Sequence, residues 1–120
     1  MLMVLCFGCK PKIPKEIIQP DQMQKILYDI HIADGYISSI QITDSARKVA
    51  AVYYRGIFNK FHTDSAHYNR SLTYYYSNPK ELDIMYKNIS RRVQMEKKRM
   101  EKADSLSKSK IKKPTPASVK

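Results

Sequence analysis

The sequence predicts an all-α fold: a small bundle of about four helices, carrying a lipidated N-terminal tether and a disordered basic C-terminal tail. Apolar residues recur at helical spacing through most of the 120 residues. No segment alternates with the two-residue period of a strand, and glycine occurs only at positions 8, 35 and 56. Capping and proline signals fall between the periodic stretches, where helices must begin. A chain of this length forms one domain around a single modest core.

From Pro20 the pattern is helical. Met23, Ile26, Leu27, Ile30, Ala33 and Ile37 follow the i, i+3, i+4, i+7 spacing of one apolar face. Pro20 suits the first helical position and Asp21 the positive helix end. A second helix is expected after Thr43-Asp44, which can cap it. Its face is Ala46, Val49, Ala50, Tyr53, Ile57 and Phe61, widened by Tyr54 and Phe58. A shorter third helix follows the Thr63-Asp64 cap, with Tyr68, Leu72, Tyr75 and Tyr76 facing inward. Asn78-Pro79-Lys80-Glu81 then offers an N-cap, a proline at N1 and a glutamate at N3, the elements of a capping box. The fourth helix presents Leu82, Met85, Tyr86, Ile89, Val93 and Met100, a stripe that Glu96 and Lys97 interrupt. The helical domain is therefore placed at 20–102. Residues 103–120 are Ser/Lys-rich and are expected to be a disordered tail, because they bury too little apolar surface to offset ordering.

The N-terminus points to location. Met1–Gly8 reads MLMVLCFG, and Cys9 is followed by Lys10-Pro11-Lys12-Ile13-Pro14-Lys15. An apolar run ending in a small residue and a cysteine, then a Pro/Lys-rich spacer, has the form of a bacterial lipoprotein leader. Residues 1–8 are read as a signal-peptide remnant, Cys9 as the lipidation site and 9–19 as a tether, in which prolines favour extended backbone. A secretory leader is about 15–30 residues with a positive start, so this one is expected to be the end of a longer leader. Cys6-Phe7-Gly8-Cys9 also spells C-x-x-C, but redox use needs a βαβ context and zinc a second ligand pair. Nothing after Cys9 approaches the roughly 20 apolar residues of a membrane span.

The net charge of +11 is unevenly placed. Residues 97–120 hold nine Lys/Arg against two acids, whereas 20–96 hold ten against eight. A nucleic-acid-binding domain usually sets its basic patch on a structured face. A Lys-rich tail instead gives salt-sensitive attraction to any polyanion.

Chemistry-bearing constellations are few. Nine tyrosines and no tryptophan imply clusters, Tyr53-Tyr54 and Tyr74-Tyr75-Tyr76, that straddle the core edge with rings buried and hydroxyls reaching water or a polar partner. His31 and Asp34, at i and i+3, form a candidate polar pair or ligand site, with Asp34 near the middle of its apolar stripe and His31 within reach. Asp29 or His67 would have to join them to make a metal site, and no metal or other cofactor is expected. His62, Asp64 and His67 surround a helix start. No Ser-His-Asp arrangement or glycine-rich phosphate loop is present, and both cysteines belong to the leader, so no enzyme is expected.

Taken together, the Cys9-Lys10-Pro11 start, Met23-x-x-Ile26-Leu27-x-Asp29-Ile30-His31-x-Ala33, Tyr53-Tyr54-x-x-Ile57-Phe58-x-Lys60, Ser71-Leu72-x-Tyr74-Tyr75 and Asn78-Pro79 occur in one order. The chain resembles, over roughly residues 9–95, a family of small Bacteroidota lipoproteins known as domain of unknown function 4296. The resemblance implies an exported, lipid-anchored helical domain and brings no catalytic residues. Asp34 stands where glutamate is commoner, and Phe61 where a histidine is usual. The expected function is a membrane-anchored, non-enzymatic interaction or scaffold protein of the cell envelope, at the periplasmic face of the outer membrane with an envelope protein as partner. The alternative is a cytosolic nucleic-acid-binding protein using the Lys-rich tail.

Overall fold

The computed structural model describes residues 12–41 and 43–111, so Cys6, Cys9 and residues 112–120 lie outside the described residues. Four helices follow in order: α1 (Pro20–Ile37), α2 (Thr43–Lys60), α3 (Ser65–Tyr76) and α4 (Pro79–Ile111). No strand occurs among the described residues, and the fold is the expected small all-α bundle. The chain divides into two units, Met1–Met85 and Tyr86–Lys120.

In the first unit α1 carries more buried residues than α2 or α3. Met23, Ile26, Leu27 and Ala33 are buried along its predicted stripe. Burying a Leu, Ile or Met side chain contributes roughly 1.5–3 kcal/mol each, so this face outweighs any local propensity. By contrast α2 buries Ile57 alone, and Tyr53 of its predicted face is exposed. Contacts between the two run in opposite order along the chain: Gln22 to Phe61, Asp29 to Lys60, Asp34 to Tyr54 and Tyr36 to Tyr53. The helices are therefore antiparallel. Thr43 and Asp44 belong to the first turn of α2 rather than preceding it, and Asp44 pairs with Lys48 at 2.9 Å.

A Schellman motif ends α2. Thr63 N–H bonds the Phe58 carbonyl and His62 N–H that of Asn59, at 3.0 and 3.1 Å. His62 sits at φ 51°, the left-handed position that usually falls to glycine. As the sequence predicts, Asp64 caps α3 by accepting from His67 N–H at 2.8 Å. α4 starts at Pro79, with the Asn78 carbonyl accepting from Glu81 and Leu82 N–H. The Asn78 amide group reaches back to the Tyr74 carbonyl at 2.8 Å, tying the two helix ends together.

Two expected boundaries change. The tether predicted at 9–19 ends early, because Ile17 and Ile18 are 9 % and 3 % exposed. A turn places Ile17 N–H on the Pro14 carbonyl at 3.1 Å, and the Gln19 amide group donates to the Pro14 and Ile17 carbonyls. Proline and lysine composition suggested an extended spacer, but two adjacent isoleucines have more to gain from burial than a spacer has from freedom. The second change is at the other end. α4 continues through Ile111 where a disordered tail was expected from residue 103. No glycine or proline intervenes before Pro114, and Asp104 pairs with Lys108 at 2.8 Å. Ser105, Ser107 and Ser109 return their hydroxyls to carbonyls one turn earlier, and Lys108 and Lys110 complement the negative helix end.

In the second unit, Ile89 is buried, whereas Val93, Met95, Met100, Leu106 and Ile111 are exposed.

Candidate functional site

Successive turns of α3 hold the segment before α1. His67, Ser71 and Tyr75 stand four residues apart, so they form one ladder on the helix surface. Ser71 Oγ accepts from Ile18 N–H at 2.9 Å and donates to the His67 carbonyl at 2.8 Å. The Tyr75 hydroxyl donates to the Ile18 carbonyl at 2.7 Å. His67 Nε2 lies 3.1 Å from the Glu16 carbonyl, and its Nδ1 lies 3.1 Å from the Thr63 hydroxyl. Both backbone groups of Ile18 are thus satisfied by side chains of α3, as its burial requires. Ser71 and Tyr75 are themselves fully buried. Burial, then the neighbouring Tyr74 and Glu81, pushes the Tyr75 phenol up to about 12.

The tyrosine clusters straddle the core edge as predicted. Tyr75 is buried, Tyr74 half-buried and Tyr76 exposed; Tyr54 is half-buried and Tyr53 exposed. Of the predicted α3 face, Tyr76 is thus displaced outward, and Ser71 occupies the buried position instead. A serine is a poor core residue on composition alone. Its signal was its place one turn before Tyr75, opposite two isoleucines with a backbone to satisfy.

Asp34 is not buried. It and His31 are both exposed, and the Asp34 carboxylate accepts a hydrogen bond from the Tyr54 hydroxyl across the α1–α2 seam. That bond, followed by partial burial and the carboxylate charge, raises the Tyr54 pKa. The predicted stripe centre belongs to Ala33, one residue earlier and 4 % exposed. Asp29 pairs with Lys60 at 2.7 Å, and His67 spends its ring nitrogens on the Thr63 hydroxyl ahead of α3 and on the Glu16 carbonyl of the segment from Pro14 to Gln19, the strap. The four side chains weighed for a ligand site are therefore not assembled into one. Among the described residues no group of three or more His, Cys, Asp or Glu is placed to hold a metal ion.

Beside this seam lies an open groove of about 290 Å³, lined by Val52, Tyr53, Gly56, Ile57 and Lys60. Gly56 leaves its floor clear, since a Cβ there would meet nothing within 4 Å. Val52 is 67 % exposed, and the Tyr53 ring packs against that of Tyr36 with centroids 5.6 Å apart and planes tilted by 46°. At one end Lys60 is already occupied by Asp29 and by the Phe61 ring at 5.1 Å. Such walls suit an apolar side chain of a partner and offer no acid–base pair. Sequence periodicity missed the groove because it assigned Tyr53 to the core.

No curated protein and no solved structure matches the chain. A family model described as Domain of unknown function (DUF4296) matches residues 14–99, from the turn that begins the strap into the second unit. The matched span takes in the strap, the α3 ladder and the α1–α2 seam, and the chain belongs to this family.

Proposed function

We propose that the protein is a lipid-anchored, non-enzymatic interaction domain of the cell envelope, attached through Cys9 to the periplasmic face of the outer membrane. The observation that carries this reading is the apolar Met1–Gly8 run meeting Cys9 and a Lys/Pro spacer. The resemblance to a lipoprotein family supports it. No helix among the described residues is long and apolar enough to cross a membrane; in this reading acyl chains on Cys9 supply the attachment. Binding is the activity the surface favours: the groove along α2 is apolar, open and free of catalytic pairs, and an envelope protein would seat a side chain there. Expression of the chain and its Cys9→Ser variant in the native cell, with radiolabelled palmitate and fractionation, tests the anchor. The unaltered protein is expected to label and sediment with membranes; the variant is expected to do neither. Equal labelling of both would end this reading.

A further inference from the structure

Building on that anchor, we infer that the strap-bearing face of the first unit, with Lys12 and Lys15 on either side of Pro14 and Arg70 on α3 beside the ladder, is a contact surface for anionic phospholipid headgroups. The argument is one of reach. Five Cα–Cα steps separate Cys9 from Pro14, and fully extended they span no more than about 18 Å. Were residues 9–19 a free tether, eleven steps would separate the lipid from α1 at Pro20, a span of about 40 Å. The hydrogen bonds from His67, Ser71 and Tyr75 remove that freedom by fixing Glu16 and Ile18 on α3. An acylated Cys9 then keeps the Pro14 turn no more than about 18 Å from its lipid.

The charge on this surface suits the proximity. Lys12 and Lys15 are exposed on the strap, and Arg70 is exposed one turn after His67, beside the ladder. Glu16 is the exposed acid among them, with its carbonyl held by His67. Cations near a membrane surface are drawn to anionic lipid, and the attraction fades within a Debye length of roughly 8–10 Å. A leash of at most about 18 Å brings Lys12 and Lys15 inside that distance far more often than one of about 40 Å. The Val52–Tyr53 end of the groove lies toward the far end of α1: Tyr36, whose ring packs against that of Tyr53, is sixteen residues beyond Pro20, about 24 Å along the helix axis, while the Lys60 end lies nearer, opposite Asp29. A bundle held by its strap therefore keeps Val52 and Tyr53 away from its attachment point and open to a partner.

Membranes carrying a phosphatidylglycerol with a photoactivatable headgroup test this on the native, full-length protein, with crosslinked residues identified by mass spectrometry. Crosslinks are expected on residues 12–16 and Arg70 well above the yield on Val52 and Tyr53. A companion variant carries twenty Gly/Ser residues inserted between Lys10 and Pro11, leaving strap and core untouched. Effective concentration falls as about the −3/2 power of linker length, so its yield on Arg70 is expected to drop about tenfold while the protein stays membrane-bound. Acylated protein that crosslinks evenly, or whose Arg70 yield ignores the linker, overturns the contact surface and leaves the anchor standing. A Cys9 peptide of unmodified mass overturns both together.

Discussion

Replacing Ser71 with alanine tests whether the strap is part of the folded unit. The hydroxyl that accepts Ile18 N–H disappears, and Ile18 is 3 % exposed, so water cannot take its place without opening the strap. A buried donor left without a partner costs about 1–3 kcal/mol. Alanine returns about 0.5 kcal/mol through its better helix propensity. The expected net loss is about 0.5–2.5 kcal/mol, which for a unit of this size lowers Tm by roughly 2–20 °C. Urea unfolding followed by circular dichroism measures the loss, with exposed Ser90→Ala as a control expected to stay within about 0.5 kcal/mol of the parent. Amide exchange gives a local reading: protection of Ile18 N–H should fall about twofold to sixtyfold, because each 1.4 kcal/mol of opening free energy is tenfold. A Ser71→Ala protein as stable as its parent, with Ile18 still protected, would refute the claim that α3 clamps the strap.

Alkali should loosen the same clamp. The Tyr75 phenol lies above its unfolded value, so its contribution to stability is complete below pH 10 and is lost as pH rises toward about 12. Stability against pH over that window should fall more gently in Tyr75→Phe, and parallel slopes would contradict the assignment. His62→Gly should raise stability by about 0.5–1 kcal/mol, since the left-handed position strains histidine and not glycine; a loss in urea unfolding would count against the Schellman ending of α2. Gly35→Ala should also stabilise, by about 0.5–1 kcal/mol, because its Cβ would meet nothing within 4 Å inside α1. Unfolding of Asp29→Asn should show a loss of no more than about 1 kcal/mol that shrinks in salt, as befits a pair whose lysine is 62 % exposed.

Helix starts were legible because they rest on local chemistry. Pro20 and Pro79 open α1 and α4, and Asp64 caps α3, each from signals within four residues. The stripe of α1 was legible for the same reason, being a periodic face on one helix. What could not be read was which face meets which. Tyr53 and Tyr76 fit the period of their helices yet are exposed, while Ser71 fits no hydrophobic pattern yet is buried, because its partner is backbone 53 residues away. Asp34 was set in the core by a shift of one residue, which turns a helical side chain by about 100°. Proline and lysine around Ile17-Ile18 hid a docking segment inside an apparent spacer, and serine and lysine after Ala103 hid eight further residues of helix.

The mass of the N-terminal peptide from protein extracted out of native membranes bears most directly on where this domain works. Acylation predicts a chain beginning at Cys9, heavier by a diacylglyceryl group and further fatty acyl mass and retained in the detergent phase. A peptide that runs through Gly8 into an unmodified Cys9 thiol, recovered in the aqueous phase, would contradict the account.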